Sequence, residues 1–101
     1  MTDLRVRVMA GIGMLDTYGP KNWRKKLGAG IKARRFNLAS TEHCVLGEVY
    51  GDFSEGIAAL GHNFDASDFG FNKPDEAPDS EWKLLRAEWV KAYKAGQRSA
   101  K

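Results

Sequence analysis

A single cysteine among 101 residues excludes an intramolecular disulfide and cannot supply a cysteine-rich metal site. Long apolar runs are also missing. None approaches the ~18–20 residues that a membrane-spanning helix requires, and the N-terminal stretch lacks the apolar core of a secretory signal. The chain therefore reads as soluble, unexported and cytoplasmic, with no membrane partner. Its length admits one domain and one core. What is present suffices to fill that core: 43% of residues are hydrophobic and eleven are aromatic, which argues against disorder throughout.

Acids are scarce at both ends. Residues 1–35 carry nine Lys/Arg and two acids, for +7; residues 36–81 carry one Lys and ten acids, for −9; residues 82–101 carry six Lys/Arg and one acid, for +5. Such segregation supports two readings. The basic ends can lie against the acidic middle within one monomer, which lowers self-repulsion without a partner. Alternatively Lys21, Arg24, Lys25, Lys26, Lys32, Arg34 and Arg35 form a patch for phosphates or for an acidic protein.

Residues 4–17 fit two templates. Leu4, Val6 and Val8 alternate with Arg5 and Arg7 as in a strand, whereas Leu4, Val8, Ile12 and Leu15 recur at helical spacing, and the helical match runs longer. Tyr18-Gly19-Pro20 ends it, since proline cannot continue the hydrogen-bond ladder. Within residues 21–35, Trp23, Leu27 and Ile31 share a helical face, but Gly28 and Gly30 predict only one or two turns followed by irregular chain. The clearest pattern spans 42–60, where Leu46, Val49, Phe53, Ile57 and Leu60 predict one helix, widened by Val45 and Tyr50 and closed by Gly61. Gly47 and Gly51 lie one turn apart on a flank of that helix, where they would let a neighbouring helix, or a second copy of the chain, approach closely. Residues 62–78 predict a compact acidic loop packed by Phe64, Phe69 and Phe71. A last helix starts after Pro78, carries the stripe Trp82, Leu85, Trp89 and Tyr93, and closes at Gly96 ahead of a frayed tail at about 97–101.

Candidate chemistry is thin. Cys44 opens the central helix, where free N–H groups and the helix dipole can lower a thiol pKa. His43 adjoins it but points about 100 degrees away, so a Cys–His nucleophile competes with a cysteine that simply packs as a small hydrophobe. His62, Asp65, Asp68, Asp75 and Glu76 offer metal ligands. Counted from Asp65, however, the third and fifth positions of a calcium loop fall on Ser67 and Phe69, and the frame fails although Gly70 fits the sixth. Gly28-Ala29-Gly30 with Ala33 matches a dinucleotide fingerprint, but Arg24-Lys25-Lys26-Leu27 cannot be the buried strand that must precede it. No catalytic, metal or cofactor residue is assigned. Trp23 alone interleaves with the cations of 21–35, and no helix-turn-helix, zinc finger or aromatic platform is recognisable.

Leu15-Asp16, Trp23-Arg24, the run Cys44-Val45-Leu46-Gly47-Glu48-Val49-Tyr50-Gly51 and then Gly56, Leu60 and Gly61 resemble a family of short uncharacterised proteins of actinobacteria and their bacteriophages. Members carry a cysteine-led CVLG helix with a second glycine four positions on, a loop with Gly-Phe (Gly70-Phe71) and a terminal tryptophan helix (Trp82 or Trp89). The resemblance covers roughly residues 14–92. It departs at the basic stretch 28–35 and at Glu48, where glutamine is expected. It implies a phage-like context and an all-helical fold, and it carries over no activity.

The resulting expectation is an all-α bundle of three or four helices, a single domain over 1–101, with Leu15, Trp23, Val45, Leu46, Val49, Phe53, Ile57, Leu60, Leu85 and Trp89 in its core. The expected role is non-enzymatic: an interaction protein that binds a host or phage protein through Lys21, Arg24, Lys25, Lys26, Arg34 and Arg35. A nucleic-acid binder using the same basic 21–35 segment is the alternative. A homodimer is open.

Overall fold

The computed structural model describes residues 4–61, 64–73 and 76–99, the last three by backbone alone. Every element in it is helical: α1 (Leu4–Tyr18), α2 (Trp23–Lys32), α3 (Val45–Tyr50), α4 (Phe53–Leu60), a single 3-10 turn (Ala66–Phe69) and α5 (Ser80–Ser99). The expected all-α bundle is therefore what the chain forms. α1 packs on α5 and on the 3-10 turn, α2 on α3 and α5, and α3 on α4. The radius of gyration is 12.3 Å, close to the ~13 Å of a compact chain of this length.

The stripes read from the sequence become the buried faces. Val8 and Leu15 of α1, Trp23 and Leu27 of α2, Val45, Leu46 and Val49 of α3, and Leu85 and Trp89 of α5 are all buried in one cluster. α1 resolves as a helix because its apolar side chains return every three or four residues to the face that meets α5, while the exposed Val6 points elsewhere. Phe53, Ile57 and Leu60, expected in the core, are half-buried and pack against its edge.

The predicted 42–60 rod is two helices meeting at a bend. Gly51 ends α3 with φ 97°, a left-handed conformation that costs glycine nothing, and Asp52 starts α4 by accepting from the Ser54 backbone N–H at 3.0 Å. Phe53 N–H donates to the Thr41 carbonyl at 2.7 Å, tying the start of α4 back to the loop before α3. Gly51 is therefore a helix cap, not half of a close-approach ridge. A Cβ at Gly47 would collide with the backbone of Glu42, so that glycine accommodates its own preceding turn, not a neighbouring helix.

Two other expectations fail for reasons of packing. α2 runs unbroken through Gly28 and Gly30, because a Cβ at Gly28 would strike the Tyr93 hydroxyl and one at Gly30 the Glu48 carboxylate. The glycines allow contact there; they do not interrupt the helix. α5 continues past Gly96 to Ser99, into the stretch expected to fray, and the Gly96 Cα lies under the Arg24 guanidinium, where a Cβ would sit 2.8 Å from Nη1.

Phe36 and Leu38, in a loop with no helical pattern, are buried anchors, and Arg86 Nε donates to the Phe36 carbonyl at 2.9 Å. The acidic loop folds over the core as expected. Phe64 meets Phe69 edge-on at 5.4 Å, Phe71 stacks on Trp89 at 5.9 Å, and the Trp89 indole N–H donates to the Gly70 carbonyl at 2.6 Å.

Candidate functional site

The six cations expected to bind a partner divide into two sets. Arg24, Lys26 and Arg35 are engaged within the chain. Arg24 pairs with Asp16 at 3.2 Å and lies 4.5 Å over the Trp23 ring. Lys26 Nζ donates to the Val49 carbonyl at 3.3 Å. Arg35 donates from Nε and Nη2 to Glu48 at 3.0–3.1 Å. Lys21, Lys25 and Arg34 are exposed and make no side-chain hydrogen bond or ion pair among the described residues, and the same holds for Lys32. Lys25 and Lys32 stand two turns apart on the outer face of α2, Lys21 precedes the helix and Arg34 follows it.

Arg34 occupies a position that favours glycine. Its φ is 61°, its N–H donates to Ile31 and the Arg35 N–H donates to Gly30, so it is the left-handed residue of a helix C-terminal cap. An L side chain there costs roughly 1–2 kcal/mol. Trp23, the aromatic interleaved with these cations, is buried at 4% exposure and donates its indole N–H to Asp16 at 3.0 Å. Its ring is turned inward and offers no stacking surface.

Glu48 is an internal counter-charge with no local sequence signature. Its side chain is 4% exposed, between Arg35 and His43. His43 Nδ1 lies 3.4 Å from Oε2, an ion-pair distance when the ring is protonated but off the line of a hydrogen bond. Opposite charges at 35 and 48 could have signalled the pair, but the loop between them gives no spacing rule.

Cys44 is the N-cap of α3, and its sulfur accepts from the Gly47 N–H at 3.3 Å. Of the two readings weighed for it, the buried small hydrophobe is the one the structure matches. Burial pushes the thiol up and outweighs the backbone N–H groups that act the other way. The group is a buried cap held as the neutral thiol.

In the acidic loop, Asp65 accepts from the Ser67 N–H and hydroxyl at 3.0 and 2.8 Å, which holds its carboxyl below the usual range, with a smaller contribution from Arg7. Asp68, Glu76, Arg7 and Lys73 line the same small polar cavity of about 240 Å³. Carboxylates and cations are mixed there, and no group of three metal-ligating side chains occurs among the described residues. His62 and Asp75, two of the weighed ligands, lie outside the described residues. No described helix is long and apolar enough to cross a membrane.

The larger cavity is an open groove of about 450 Å³ between α1 and α5. Its floor is Val8, Ile12, Ala92 and Gly96, with Met9 on one shoulder and charged side chains at the rim. It has no local sequence signature, because its walls come from α1 and α5, far apart along the chain. Comparison with family models, curated proteins and solved structures returned no match to this chain.

Proposed function

We propose that this chain is a small non-enzymatic interaction protein, phage-encoded or phage-derived, acting in the cytoplasm of a bacterial host and binding an acidic surface of a host or phage protein. The observation that carries the reading is that Lys21, Lys25, Lys32 and Arg34 project from α2 and its ends without partners among the described residues, while Arg24 and Arg35 are paired with acids within the fold. A left-handed arginine where glycine would be more stable adds support, because such strain collects at functional positions. The inward turn of Trp23 favours a protein over single-stranded nucleic acid, which needs exposed rings for stacking. The phage context rests on the resemblance carried by Cys44-Val45-Leu46-Gly47.

Crosslinking mass spectrometry in the native host tests this reading against the double variant Lys25→Glu/Lys32→Glu, with duplex-DNA anisotropy across salt in parallel. The expected result is one protein crosslinked through Lys21, Lys25 or Lys32 and lost in the variant, with weak DNA binding. DNA affinity that falls with a log–log slope near −0.9 per neutralised phosphate, without a protein crosslink, would establish the nucleic-acid alternative instead.

A further inference from the structure

α3 and α4 meet at Gly51, and they share more than a joint. Two helices packed on one core need only the same period; these two share the phase as well. Run as one helix from Val45 to Leu60, they carry Leu46, Val49, Phe53, Ile57 and Leu60 within an arc of about 80°, with Gly56 and Tyr50 on its two edges. A bent pair has no need of that register; a continuous helix does. α4 rests chiefly on α3. Along α4 only Gly56 is buried, while Phe53, Ile57 and Leu60 are half-buried. The seat on α3 is shaped for that glycine: a Cβ at Gly56 would lie 2.7 Å from the Leu46 Cβ and 3.0 Å from the Tyr50 ring.

The joint is able to straighten. Gly51 has φ 97°, and glycine takes a helical φ as readily. The hydrogen bonds exchange one for one. At the bend the Phe53 N–H donates to the Thr41 carbonyl and the Ser54 N–H to the Asp52 carboxylate; in a continuous helix the same groups take the Val49 and Tyr50 carbonyls, four residues back. Straightening lifts α4 off its own α3 and leaves the seat on Leu46 and Tyr50 empty. Leu46 and Gly56 lie symmetrically about Gly51 on one face, so two such helices laid antiparallel pair Leu46 with Gly56 twice across a two-fold axis. That contact is isologous and closes at two chains. From these observations we infer that the chain has a second form beside the bent monomer, a dimer in which α3 and α4 run as one helix and each α4 takes the seat on the other copy's α3. Shape and symmetry identify the occupant. The α2 cations take no part, so the dimer goes beyond the proposed function and does not depend on it.

Gly51→Ala in the full chain is the test, because alanine is disfavoured in the left-handed conformation and favoured inside a helix, and both effects count once per chain. The dimer dissociation constant, from light scattering over a concentration series, is expected to fall at least roughly a hundredfold below that of the parent. In a dimer refolded from mixed isotope-labelled and unlabelled chains, the Leu46 methyl protons are expected to show nuclear Overhauser contacts to Gly56 of the other chain. Adding Glu55→Pro, which the first turn of α4 tolerates and the middle of a long helix does not, is expected to restore the monomer. A folded Gly51→Ala chain that stays monomeric at millimolar concentration overturns the inference. So does a dimer whose Leu46–Gly56 contact lies within one chain, or one that survives Glu55→Pro. Should Gly51→Ala not fold, the parent refolded at millimolar concentration decides: a dimer with the interchain contact upholds the inference, and monomer alone overturns it. Either result leaves the crosslinks through α2 as the separate test of the proposed function.

Discussion

Gly11 and Gly13 sit two residues apart on α1 under opposite constraints. A Cβ at Gly11 would overlap the Phe69 carbonyl oxygen and come within 2.9 Å of the Trp89 ring, both held in the packed interior. A Cβ at Gly13 meets nothing within 4 Å. Alanine gains about 1 kcal/mol over glycine in a helix interior, so Gly13→Ala should stabilise by roughly that amount. At Gly11 the collision exceeds the gain, and Gly11→Ala should destabilise by about 1–3 kcal/mol. Urea midpoints at constant m-value check both signs. Both glycines look alike as helix weakeners in the sequence; a contact with residue 69 is not written in local spacing. The cationic residues teach the same lesson. All six were legible as charges, but Arg24, Lys26 and Arg35 find Asp16, the Val49 carbonyl and Glu48 only once the chain is folded.

At the scale of elements, the joint between α3 and α4 depends on Asp52. Its carboxylate accepts from the Ser54 hydroxyl in a short contact and from the Ser54 backbone N–H, and these bonds hold its pKa below the usual carboxylate range. A depressed folded pKa contributes stability above the unfolded value of about 3.9 and loses it as pH falls through the folded value. Asp52→Ala should therefore lower the melting temperature at pH 7, and the gap to the parent chain should shrink below pH ~4. A gap that stays constant to the acid limit would show that the capping charge is not involved. The bend itself was legible in hindsight: Gly51-Asp52 followed by Glu55 is a stop and a start in adjacent positions. The apolar stripe across 46–60 masked it, because two helices that pack on the same core carry the same period.

Over the whole molecule, Cys44 reports on opening. Its thiol is 1% exposed among the core side chains and its pKa is raised by burial, so both access and thiolate are withheld in the native state. Iodoacetamide at neutral pH should leave the native chain unlabelled and alkylate it fully in denaturant, as read by intact mass. Rapid native labelling would mean that the α3 region opens independently of the rest. The charge segregation likewise acquires meaning only at this scale. Part of the basic excess is neutralised inside the fold, at Asp16 and Glu48, while Lys25 and Lys32 are displayed on the outer face of α2. Arg35 against Glu48 is the one ion pair among these that joins the basic N-terminal part to the acidic middle.

Periodicity alone determined that the chain is helical and which stripes of α1, α2, α3 and α5 turn inward, because burial of an apolar face depends on spacing that neighbours in sequence already fix. The three-dimensional arrangement decided everything that depends on residues distant along the chain: the burial of Phe36 and Leu38, the neutral thiol of Cys44, the continuity of α2 through its glycines, and the existence of a groove between α1 and α5. Those features arise from contacts between segments, whose energies no local pattern encodes.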